Sequence, residues 1–440
     1  MTSAPSTSSR PRFYYGWTML GVATVATIST SPGQTFLVSQ FYSSFQRELG
    51  LDEAAPLATA YGIGTLGAGL LMPLVGSLSD RFGTRVMMGI AAALLAFTCA
   101  MIGFAENIYQ LGLAFFCLRA FGQGALGLVA GHTLAMWYEK RLGIAESVRH
   151  TGMSLANVLL PPIAIALIAW LGWKSAYALL GLGVYLAVIP LVVIVFRNKP
   201  EDIGQHLDNI APEEHHSLED AEPDAAAEIS RDTHGPRAGT PLPPDFTAKQ
   251  AIRTGAYWIV TGALVANAAI FTAIALEHQV IVQDAGHGPE VAARLIPLAG
   301  LVAMLAVPIS GMLVDRFRER ILLACTTVLL GLSCTCVAFA SALPALYGAM
   351  VLMGMTQSLI FVLASPIFAR YFGRKHHGAI RGTLTRSMII GTAVGPVLLS
   401  LGAKFSDGYR LPLLACALLT IPLTVAALSM KQPEHPESTS

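Results

Sequence analysis

Arg119 offers the most chemistry in this chain, because its charge stands inside an apolar run, 108–137, long enough to cross a membrane. It lies about 11 residues into that run, ~16 Å along a helix that rises 1.5 Å per residue. An ionised side chain at the centre of a bilayer costs roughly 2.5–3.5 kcal/mol on insertion scales. A guanidinium kept at that depth has two uses. It grips a carboxylate, sulfonate or phosphate through parallel N–H bonds, or it ties helices together through a backbone carbonyl or a polar neighbour such as Gln123. Pro32-Gly33-Gln34-Thr35 interrupts the first apolar run near its middle. Broken helices at mid-depth are where carriers hold solutes; the plainer reading is a proline kink. Glu277-His278, toward the outer end of a later run, reads as a site for a titrating proton or as an interfacial cap. Glu277 reads as the sole acid in an apolar run away from the charged loops. Arg386, about two turns into the eleventh run, lines an inner cavity or snorkels to the interface. Tyr61, His132, Asn157, Asn267 and Gln357 are further polar residues in apolar runs, facing either a cavity or a neighbouring helix.

The elements that must position these residues follow from composition. Of 440 residues, 54% are hydrophobic and 12% charged, about half the charge of a soluble domain. The solvent is partly lipid. Twelve apolar runs are predicted near 15–42, 55–79, 85–105, 108–137, 145–170, 173–197, 255–284, 291–314, 320–341, 344–371, 378–404 and 409–430. The first is too long for a signal-peptide core and is expected to be a retained membrane helix. The fold class is therefore an all-α integral membrane protein of twelve transmembrane helices in two six-helix bundles, 15–197 and 255–430. Tails at 1–14 and 431–440 flank them. The stretch 198–254, rich in Pro, Glu and Asp, reads as a largely disordered linker. Trp17, Trp137, Trp170, Trp173 and Trp258 fall at run ends, as in an aromatic belt.

Enzyme chemistry finds no foothold: no Gly-x-Ser-x-Gly elbow, His-Glu-x-x-His pair or phosphate-binding Gly-Lys-Ser/Thr loop is present. No metal or cofactor is expected; the linker histidines His206, His215, His216 and His234 read as solvated, and the six cysteines as small buried hydrophobes. A net charge of +1 implies no nucleic-acid partner.

One motif occurs twice. Gly76-Ser-Leu-Ser-Asp80-Arg81-Phe-Gly83-Thr-Arg85 follows the second run, and Gly311-Met-Leu-Val-Asp315-Arg316-Phe-Arg318-Glu-Arg320 follows the eighth. This repeat, one copy per half, resembles the signature loop of the major facilitator superfamily, and the resemblance covers the chain outside its tails and linker. It implies that Gly76, Asp80, Arg81 and Arg85, with Gly311, Asp315, Arg316 and Arg320, gate the cytoplasmic side. In that family the Asp caps a neighbouring helix and pairs with Arg when the carrier faces outward. Leu118-Arg119-Ala-Phe-Gly122-Gln123-Gly124 and Gly391-Thr-Ala-Val-Gly395-Pro396 resemble further motifs of the family. Tyr14-Tyr15-Gly16-Trp17, Gly172-Trp173-Lys174 and Arg197-Asn-Lys-Pro200-Glu201-Asp202 resemble its bacterial monocarboxylate and oxalate/formate branch. That branch carries an Arg in the eighth helix where this chain has Val307.

Lys and Arg concentrate in one set of loops: Arg81 and Arg85, Lys140 to Arg149, the linker, Arg316 to Arg320, and Arg370 to Arg381. By the positive-inside rule both termini and the linker face the cytoplasm, in a multi-pass protein of the cytoplasmic (inner) membrane. The resemblance and the charges together predict a monomeric secondary transporter in the lipid bilayer, moving a small organic anion by alternating access, with protons as a possible second cargo. No acid lies between Trp17 and Gln46, which weighs against the alternative of a proton-coupled exporter of cationic compounds. A membrane sensor built on the same fold stays open.

Overall fold

The computed structural model describes residues 13–50, 55–209 and 245–433. Among them, ten helical stretches are long and apolar enough to cross a membrane. One, Leu142–Val195, is two helices merged across Gly172, whose φ of 75° and ψ of 159° break the helical path. The first run is absent from that count because it is broken into Gly16–Ile28, a 3₁₀ turn Ser31–Gly33, and short pieces Thr35–Val38 and Tyr42–Glu48. Dividing the merged stretch and restoring the broken one gives the twelve membrane helices of an all-α fold in two six-helix bundles.

We number them α1 (Gly16–Ile28, with its broken continuation), α2 (Ala55–Phe82), α3 (Thr84–Met101), α4 (Ile108–Trp137), α5 (142–171), α6 (173–195), α7 (Gly255–Asp284), α8 (Pro289–Arg316), α9 (Glu319–Ala338), α10 (Leu343–Phe372), α11 (His377–Phe405) and α12 (Arg410–Ser429). The first six share one buried core; the last six form two clusters, one toward each end. Large apolar side chains such as Phe97, Leu113, Ile194 and Leu398 point outward, where lipid replaces water and burial gives no drive to associate. The halves meet through α2 on α11 and α5 on α8, and the contacts rest on glycines. A Cβ on Gly76 would lie 2.0 Å from the Gly378 carbonyl oxygen, and one on Gly311 would lie 2.9 Å from the Gly143 carbonyl oxygen. Only a residue without Cβ lets these backbones approach so closely.

Several expectations change. Trp137 is fully buried, not interfacial: Tyr14 and Tyr15 cover it, and its Nε1 donates to the Arg197 carbonyl at 3.2 Å. Tyr14 donates to the Trp137 carbonyl; burial first, and then the Asp208 carboxylate, raises its pKa and keeps the phenol protonated. Trp173 packs edge-on to Phe45. Cys325 is exposed on α9 rather than buried. The linker is ordered at both ends, in short turns at Pro200–Ile203 and Leu207–Asn209 and a helix at Ala248–Ile252. Polar side chains there bond to neighbouring loops, which composition does not reveal. The rest of the linker, with His215, His216 and His234, lies outside the described residues.

Candidate functional site

The Arg119 site is made by two irregularities facing each other. At the α1 break, Gln34 is extended (φ −90°, ψ 145°), which leaves the Gly33 carbonyl without a helical partner. Opposite it, α4 widens into a π-helix over Leu118–Leu126, a distortion frequent at functional sites. The two backbones nearly touch: a Cβ on Gly33 would sit 2.2 Å from the Leu118 oxygen. Arg119, 8% exposed, donates through Nη1 to the Gly33 carbonyl (3.2 Å) and to Thr35 Oγ1 (3.3 Å). Its guanidinium carbon lies 5.3 Å from the centre of the Tyr61 ring, and Thr35 and Tyr61 share a hydrogen bond of 2.9 Å.

What Arg119 lacks is an anion. Among the described residues it has no ion-pair partner, and its buried Nε has no acceptor; nor has the buried Oε1 of nearby Gln123 a donor. Gln34 turns the other way, donating to Thr30 Oγ1 at 3.1 Å. The site thus gathers Arg119, Thr35 and Tyr61, with Gln123 one turn along the π-segment.

The other candidates stand apart. Asn267 and Gln357 are buried on α7 and α10, while Asn157 and Arg386 are exposed on α5 and α11. Glu277 accepts from Ser400 Oγ (2.6 Å) and the Tyr409 hydroxyl (2.8 Å), tying α7 to α11 and to the start of α12. His278 Nδ1 sits 2.7 Å from the Ala275 carbonyl. None of these shares a hydrogen bond with Arg119.

On the side of the basic loops, each motif aspartate reaches into the opposite half. Asp80 accepts from the backbone N–H groups of Gly378 (2.9 Å) and Ala379 (2.7 Å), at the start of α11. Asp315 accepts from Gly143 (2.7 Å) and Ile144 (2.8 Å), at the start of α5. Both carboxylates meet unpaired amides at the positive end of a helix dipole. The arginines of the motif are not their partners. Arg81 lies over Phe82, and Arg85 donates to the carbonyls of Val192 and Val193. Arg316 is exposed and Arg320 half-buried. The cation on Asp315 is Arg370, at 3.1 Å, which also holds Glu319; beside Asp80 stands His132, at 3.6 Å.

Glu277 is not the sole acid in a membrane helix. Glu146, in the first turns of α5, is fully buried. Arg149 holds it at 2.6 Å, and Arg381 of the second half lies 3.9 Å away, resting on Gly131. Arg149 also donates to Thr27 of α1, and Arg381 to Ser365 of α10. The charge pattern counts Arg149 and Arg381 with the basic loops; the structure places both within helices, against Glu146. The available signal was Glu146-x-x-Arg149, an acid and a base three apart on one helical face. Removing one member of a buried pair strands the other charge, at about 3–5 kcal/mol. Glu146→Ala is therefore expected to lower the thermal midpoint of the purified protein sharply and Glu146→Gln less; equal midpoints for both variants and wild type would show that the cluster carries no stability.

The family profile described as Major Facilitator Superfamily matches residues 13–304 and 259–440. Among curated proteins the chain is 23% identical over 145 residues to the uncharacterized MFS-type transporter YcxA of Bacillus subtilis, covering 33% of this chain and 36% of that one. It is 25% identical over 129 residues to the probable sulfoacetate transporter SauU of Cupriavidus necator, covering 29% and 30%. The chain thus spans about a third of the length of the curated relatives it matches. Among solved structures, that of FucP in the outward conformation superposes with a TM-score of 0.65 at 14% identity, covering 95% of this chain and 100% of that one.

Proposed function

The chain belongs to the Major Facilitator Superfamily, and from that premise we propose that it is a secondary active transporter of a small organic anion working by alternating access. One observation carries the choice of anion. A guanidinium deep in an apolar run is buried, and among the described residues no carboxylate pairs with it and only its Nη1 is hydrogen-bonded. Its Nε edge is left for a ligand, and a carboxylate or sulfonate fills that edge with two parallel bonds. Thr35 and Tyr61 share one hydrogen bond, so between them one hydroxyl proton is left to donate to the ligand. A relative named for sulfoacetate fits this chemistry. A monocarboxylate-type solute fits it too, though position 307 of α8 offers no guanidinium, Val307 being packed into the core there. Arg386 on α11 is the remaining basic candidate there.

The gate reading rests on the crossed aspartates. With Asp80 and Asp315 seated on the opposite half, the basic-loop side is shut. By the charge bias that side is cytoplasmic, so this arrangement is closed to the cytoplasm. Opening inward requires both carboxylates to leave their amides. Glu277, held by two hydroxyls, is the proposed carrier of a coupling proton, with His278 beside it.

A ligand that binds the folded state raises its stability, by about 2.7 kcal/mol at a hundred times its dissociation constant. In a thermal-shift screen, small carboxylates or sulfonates are expected to raise the midpoint of the purified protein and organic amines to leave it unchanged. Stabilisation by amines alone overturns the anion reading.

A further inference from the structure

At each end of the linker an aspartate binds a loop that feeds the gate. Asp208, just after α6, accepts from the backbone N–H groups of Glu139 (2.9 Å) and Lys140 (2.6 Å), in the loop before α5. Asp245, before α7, accepts from those of Arg374 (3.0 Å) and Lys375 (3.1 Å), in the loop before α11. The amides held by the gate aspartates come four residues later in each loop: Gly143 and Ile144, and Gly378 and Ala379. Each loop is thus clamped twice, first by a carboxylate from its own half and then by one from the other half.

Both clamps show built geometry. Asp208 and Asn209 hold left-handed backbone angles (φ 54° and 62°), a conformation non-glycine residues rarely adopt without a local reason. Gln205 ties the same turn to the N-terminal segment, accepting from Tyr15 N–H and donating to the Phe13 carbonyl. Asp245 packs on Gly373, at φ 79°, where a Cβ would lie 2.4 Å from its Oδ1. Between the clamps, Arg374 reaches across the halves to Glu139 at 3.2 Å.

We propose that Asp208 and Asp245 are positioning residues of the gate, each shaping its loop so that the following helix start is offered to the aspartate of the opposite half. This rests on the gate reading above. The linker is then part of the latch at both of its ends as well as a tether. Asp208 is the stronger clamp, because its bonds are sheltered while those of Asp245 are exposed.

The test places spin labels at Ser77 and Arg318, exposed residues in opposite halves, and measures their distance distribution in the full-length protein. Asp208→Ala is expected to raise the ratio of long to short distances about tenfold, the equivalent of 1.4 kcal/mol, and to lower kcat with little change in KM. Asp245→Ala moves the same way by less, and Asp208→Asn, which keeps an acceptor oxygen, restores most of the short population. Wild-type distributions in both alanine variants, while Asp80→Ala and Asp315→Ala shift, overturn this proposal alone. No shift in any of the four overturns the gate reading with it.

Discussion

Arg119→Ala is expected to abolish uptake into proteoliposomes while the protein still inserts, folds and elutes as wild type. Among the described residues the side chain makes two hydrogen bonds, both from Nη1 and both to groups at the α1 break. Losing them removes a desolvated cation along with its bonds, so folding loses little. A bound anion loses its only partner of opposite charge among the described groups of the site. Hydrogen bonds to charged groups contribute roughly 1.5–3 kcal/mol each, so a two-bond contact is worth about two to four powers of ten in affinity. Arg119→Lys keeps the charge but not the planar fork and is expected to recover a small part of the activity with a raised KM. Wild-type transport by the alanine variant removes Arg119 from the site.

The second large effect belongs to a residue with no side chain. Gly76→Val is expected to leave solute binding measurable by thermal shift while reducing turnover at least a hundredfold. Its Cβ would fall 2.0 Å from the Gly378 oxygen and 2.5 Å from the Gly378 carbonyl carbon, both backbone atoms with no rotamer to yield. The α2–α11 contact must open, and the Asp80 bonds of 2.9 and 2.7 Å to Gly378 and Ala379 open with it. The valine protein is then held away from the closed state of the basic-loop side. The control is Gly21→Val, where nothing lies within 4 Å of the added Cβ; it should transport as wild type. Normal turnover by Gly76→Val would mean that this approach of the halves is not part of the cycle.

The sequence was most readable where one physical rule acts alone. Apolar length named the spans, since the bilayer core sets it. It failed where a span is broken, as at Ser31–Gly33, or where a junction is too short to interrupt the hydrophobic signal, as at Gly172. Arg119 was legible because a charge deep in an apolar run needs a reason. Glu146, Arg149 and Arg381 were not, because they stand within the first two turns of their helices, where loop and bundle interior look alike. Asp208 and Asp245 were hidden in a segment whose composition reads as disordered. Their hydrogen bonds go to backbone amides, which leave no mark in a side-chain pattern.

By itself, then, the amino-acid sequence determined the solvent, the twofold repeat, the basic side and a cation at mid-depth. These depend on counts and depths along one chain. The tertiary structure alone decided which groups face each other: which helix starts of the opposite half the repeated aspartates grip, with the arginines next to them turned elsewhere, that the repeated glycines let those helices touch, and that Arg119 has no ion-pair partner among the described residues. Each of these depends on how far apart two separate helices lie, and in lipid that distance is set by where small residues allow backbones to close.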